Sequence, residues 1–119
     1  MSTDQPQTIA PESLPEAITG FLRAHRAHDA ATALSFLRLD ATVTDEGKTH
    51  QGAPAIGAWM TRSAGEYTYT IELIGAQKVD ADHYVATHHL EGDFLGGVVD
   101  LHYRFCLGDG LIEDLRIEP

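Results

Sequence analysis

The hydrophobic period of this chain changes along its length, and that change limits its fold more than any other feature. In the first half, apolar residues recur at helical spacing. Ile18, Phe21, Leu22 and His25 form one such stripe, and Ala55, Ile56, Trp59 and Met60 another. From Tyr67 the period falls to two. Tyr67, Tyr69, Ile71 and Leu73 alternate with Thr68, Thr70 and Glu72. Tyr84 to Phe94 reads as a further long strand, and Val99, Leu101, Tyr103, Phe105 and Leu107 then alternate with Asp100, His102, Arg104 and Cys106. Asp80-Ala81-Asp82, Gly96-Gly97 and Gly108-Asp109-Gly110 are the turns between these strands. Helices first and short-turned strands afterwards predict an α+β layer fold. In it the N-terminal helices pack on the concave face of a curved, mainly antiparallel sheet.

A length of 119 residues suits one domain. Residues 1–12, with Pro6 and Pro11, read as a flexible tail, and 13–119 as the domain. Ser13-Leu14-Pro15-Glu16 has the capping-box pattern, and the first helix is expected to end near His28. Asp29 then caps a shorter helix with Ala33, Leu34 and Leu37 as its buried stripe. A strand at 41–46 follows, then a turn at Glu46-Gly47-Lys48 and a short return over Thr49–Gln51. Pro54 opens the third helix.

Charge and composition exclude several functions. Eighteen acidic against eight basic residues leave a net charge of −10, which repels nucleic acid and anionic membranes alike. No apolar run nears the roughly 20 residues of a membrane span, and the polar start is no secretory signal, so the expected location is cytoplasmic. The one cysteine, Cys106, forms no internal disulfide and is expected to be a buried, inert thiol. His88 and His89 are adjacent in a strand, so they point to opposite faces. With no metal-ligand spacing and no phosphate-binding loop, neither a metal nor a cofactor is expected.

One acid stands out. Asp45 shares a strand face with Ala41 and Val43, so it is either a carboxylate in an apolar cup or a strand-end group hydrogen-bonded to the turn. His25 extends the stripe of the first helix one turn beyond Phe21, and Trp59 suits a pocket wall that favours a flat or aromatic ligand.

These patterns resemble the SnoaL-like branch of the nuclear-transport-factor-2-like superfamily, the cone-shaped α+β fold shared with ketosteroid isomerases and limonene epoxide hydrolases. The likeness lies in His28-Asp29, in Asp40 through Asp45, and in Gly52 through Ile56 to Trp59. It continues in Leu90-Glu91-Gly92-Asp93-Phe94, Tyr103-Arg104-Phe105 and Asp109-Gly110-Leu111-Ile112. The resemblance implies that Asp45 stands at the general-base position of the isomerases and Phe21 where they carry an oxyanion-hole tyrosine. Asp100 falls near their second, protonated acid. Strand alternation instead puts Val99 inward, unless a bulge near Gly96-Gly97 turns Asp100 into the cup. A polyketide-cyclase-like Asp–His pair would use Asp100 with His88 or His102. No Arg-x-Asp occurs, against epoxide hydrolysis.

The expected site is therefore Asp45, His25 and Asp100 as catalytic groups, with Phe21, Trp59 and His88 contacting a small hydrophobic or aromatic ligand. Asp45 would act as base on a carbonyl compound in a cofactor-free isomerase, cyclase or dehydratase. The alternative is a non-catalytic ligand-binding or dimerisation module of the same fold. Asp100, His102 and Arg104 read as the outer sheet face, through which a homodimer would form.

Overall fold

The computed structural model describes residues 6–66 and 69–119, with the side chains of the third helix described as far as Arg62. Tyr67 and Thr68 of the expected alternation lie outside the described residues, as do the first five of the tail. Seven strands form one curved, unclosed sheet: β1 (Gln7–Ile9), β2 (Leu37–Asp45), β3 (Lys48–Gln51), β4 (Tyr69–Lys78), β5 (His83–Gly92), β6 (Val98–Gly108) and β7 (Leu111–Glu118). Their order across the sheet is β1-β4-β5-β6-β7-β2-β3. All neighbours are antiparallel except β2 and β7. Helices α1 (Glu16–Arg26), α2 (Ala30–Leu34) and α3 (Ala53–Glu66) accompany the sheet, giving the α+β cone.

Burial explains why α1 lies where it does. Ala17, Ile18, Phe21, Leu22 and Ala24 form its buried stripe, while Arg23 and Arg26 stay exposed. Phe21 meets Phe105 of β6 edge-on at 6.1 Å, tying helix to sheet. Ile56, Trp59 and Met60 of α3 join the same core, with Val43, Phe105, Ile112 and Leu115 beneath them.

The structure departs from the local sequence pattern in several places. Ser13 lies in a short 3-10 turn, Pro11–Ser13, so the capping box does not form; Pro15 takes the N-cap position with no side-chain cap. The first helix stops at Arg26, before His28, whose φ is 58°. Asp29 does cap α2, its Oδ1 accepting from the Thr32 amide at 3.2 Å, but α2 is five residues long and Leu37 opens β2 instead. The cause is long-range: Leu37 pairs with Ile112, and β2 runs parallel to β7 from there. Part of the expected tail is likewise a strand, because Gln7–Ile9 pairs with β4 at the sheet edge.

The β2–β3 turn follows its sequence. Glu46 (φ 52°) and Gly47 (φ 76°) are both left-handed, as a two-residue hairpin between Asp45 and Lys48 requires. Cys106 is half-exposed rather than buried, its Sγ 3.7 Å from Glu113 Oε2. Burial and three nearby carboxylates, Glu113 first and then Asp114 and Asp82, push its thiol pKa up, which keeps the thiolate scarce. Among the described residues, no helix is long and apolar enough to cross a membrane.

Candidate functional site

Between the end of β2, α3 and the concave faces of β4 to β7 lies an open cup of about 610 Å³. Its apolar wall includes Leu90, Phe94, Val99, Leu101 and Ile117. Leu95, fully exposed in the turn before β6, stands at its edge. The polar groups are Asp45, Glu46, Tyr69, Tyr103 and Glu118, with Trp59 between wall and carboxylate.

Asp45 is the last residue of β2, and parallel pairing with Ile117 fixes its strand end beside β7. The indole Nε1–H of Trp59 donates to Asp45 Oδ2 at 3.0 Å. A half-buried carboxylate is thus oriented by a group packed in the core. Trp59 in turn belongs to a run of stacked rings: Phe21 to His25 at 5.6 Å, His25 to Trp59 at 5.3 Å, and Trp59 to His50 at 6.2 Å. His25 therefore packs behind Trp59 and does not line the cup. Burial pulls its pKa down, with the charge of His28 adding and that of Asp45 opposing, so the imidazole is neutral near pH 7.

The other expected residues divide between core and outer face. Phe21 is fully buried against Phe105, away from the cup lining. His88 lies under the Tyr103 ring with centroids 4.4 Å apart. It lines a separate crevice of about 440 Å³ with Leu73, Arg23 and Arg26. Asp100 points outward, where its Oδ1 meets His89 Nδ1 at 2.6 Å, and Val99 faces the cup in its place. His102 pairs with Thr87 at 3.1 Å. Neither His88 nor His102 pairs with Asp100.

Tyr103 is the group that sequence reading passed over. It is 5% exposed, lines the cup, and its hydroxyl has no hydrogen-bond partner among the described residues. Burial raises the pKa of Tyr103 strongly, helped by Tyr69 and Asp45; burial and then Asp45 raise that of Tyr69. Both phenols are protonated at neutral pH and available as donors. The signal was present: a tyrosine within the inward set Val99, Leu101, Tyr103, Phe105 carries a hydroxyl that needs a partner. No three His, Cys, Asp or Glu side chains converge for a metal ion among the described residues.

No family model and no curated protein matches the chain. Solved structures do. A Sinorhizobium meliloti protein named as a candidate polyketide cyclase matches at TM-score 0.84 and 30% identity, over 92% of this chain and 100% of that one. A Catenulispora acidiphila protein with a ketosteroid isomerase-like fold, in complex with trimethylamine, matches at 0.76 and 18% identity, over 90% and 87%. A Mycobacterium tuberculosis protein in complex with estradiol-17β-hemisuccinate matches at 0.70 and 20% identity, over 87% and 90%.

Proposed function

The chain belongs to the SnoaL-like, nuclear-transport-factor-2-like superfamily, and on that premise we propose that its cup binds a small organic carbonyl compound and moves a proton on it without a cofactor. One observation carries this reading: the Asp45 carboxylate and the Tyr103 hydroxyl, without a partner among the described residues, line the same apolar cavity. Asp45, held by the Trp59 indole, takes the proton from carbon. The Tyr103 hydroxyl donates to the oxygen that gains negative charge, the role for which Phe21 has no suitable group. The proton then returns at another carbon in an isomerisation, or the enolate attacks or expels a group in a cyclisation or dehydration. His25 acts here as packing behind Trp59, and Asp100 takes no part.

Small ligands in structures of this fold support the binding half of the proposal. Asp45 has no second carboxyl beside it from Asp100, an observation that favours the second reading, a binding module without catalysis. The two readings separate in D2O. Proton NMR would follow deuterium entry at the α-carbon of 2-tetralone or cyclohexanone, a half-reaction that needs no knowledge of the natural substrate. Catalysed exchange should fall by about 10² or more in Asp45→Asn, and by about tenfold or more in Tyr103→Phe. Exchange equal to buffer, or unaltered in Asp45→Asn, leaves the binding module. The outer face bearing Asp100, His102 and Arg104 is proposed as the homodimer surface, which analytical ultracentrifugation would test.

A further inference from the structure

Every charged side chain lining the cup is acidic. Asp45 and Glu46 line it, Glu118 stands at its edge with its carboxylate on Arg104 of the outer face, and no lysine, arginine or histidine lines it among the described residues. A second observation is independent of that cluster. Tyr103, more than nine-tenths buried, lines the same space with a hydroxyl that has no partner among the described residues. Its oxygen can accept as well as donate a hydrogen bond. The site is thus built of acceptors set against an apolar wall, with one indole N–H already given to Asp45.

We propose that the cup selects a protonated organic amine with an apolar body and rejects organic anions. This rests on the reading of the cup as a ligand site and names the class of ligand it takes. The amine would meet Asp45, whose Oδ2 alone is engaged by Trp59, and the exposed carboxylate of Glu46 at the mouth of the cup. The apolar body lies on Leu90, Val99, Leu101 and Ile117. With a net charge of −10, the whole chain steers a cation inward and repels a phosphorylated or carboxylated molecule. A cation on the ligand also supplies the positive charge that the lining lacks, beside the carbon from which Asp45 would take a proton.

Trp59 is the only tryptophan of the chain, so its emission reports on the cup. Three probes of similar size differ in charge: benzyltrimethylammonium, neutral benzyl methyl sulfone and phenylmethanesulfonate. Titrated at constant ionic strength, the ammonium should bind with a Kd about tenfold below that of the sulfone. The sulfonate should leave the emission unchanged. In Glu46→Gln, the ammonium advantage should shrink measurably while sulfone binding holds. A sulfone that binds as tightly as the ammonium, or a sulfonate that binds at all, overturns the charge selection and leaves the cup as a ligand site. If none of the three alters the emission, the ligand-site reading falls together with this one.

Discussion

His88 and His89 are neighbours in β5, yet they sit in opposite chemical worlds. His88 faces the helices, 2% exposed beneath the Tyr103 ring. Burial pulls its pKa down to about 4, and the charges of Arg26 and His25 push the same way. His89 faces out, held between Asp100 at 2.6 Å and Glu91 at 2.8 Å, and these hydrogen bonds, Asp100 first, raise its pKa. One step along a strand turns a side chain to the other face. Here that step separates an imidazole that resists a proton from one that keeps it. The inner face draws its stability from packed rings and excluded water. The outer face carries solvated ion pairs, each worth little.

Truncation gives the largest test of this contrast. Phe105→Ala, on the inner face, should cost about 3–5 kcal/mol in urea unfolding. Arg104→Ala, one residue away and half-exposed, should stay within about 0.5 kcal/mol. Similar losses at the two positions would erase the distinction.

Acid should act next, and through the inner face. An unfolded histidine titrates near 6.5 whereas folded His88 titrates near 4, so between those values the unfolded chain binds more protons. Stability is therefore full above about pH 6.5 and drains away as pH falls towards 4, by on the order of 3 kcal/mol. His25, shifted the same way by burial, adds to this loss. Urea midpoints at pH 7, 5.5 and 4.5 would measure it. A His88→Phe variant with the same pH slope would trace the loss elsewhere.

Close packing extends to the helix layer. A Cβ built on Gly20 of α1 would lie 2.3 Å from Cζ of Phe36, so Gly20→Ala must displace that ring. About 1–2 kcal/mol of destabilisation is expected, even after the helix preference for alanine is counted. A variant as stable as the parent would mean that Phe36 swings away freely. The smallest effect belongs to His89. A group with a raised pKa contributes below about pH 6.5 and ceases to contribute as pH rises through its folded value. His89→Gln should therefore differ slightly from the parent near pH 5.5 and not at pH 9, by the same urea midpoints.

The alternation of β6, the opposition of His88 and His89, the Asp29 cap and the Glu46-Gly47 turn were all legible in the sequence. Each depends on sterics and hydrogen bonds within a few residues, where side-chain period and turn chemistry act directly. Contacts closed across long stretches of chain were not. Leu37 became strand through Ile112, and Gln7–Ile9 through β4, because a backbone partner far along the chain outweighed the local pattern. The site shows the same division. Sequence put Asp45 in line with Ala41 and Val43, either in a cup or at a strand end, and suited Trp59 to a pocket wall. That Trp59 grips Asp45, that His25 disappears behind it, that Asp100 pairs with His89 and that Tyr103 has no partner among the described residues were decided only when helices and sheet packed. Periodicity says which way a side chain points; only the closed fold says what it meets there.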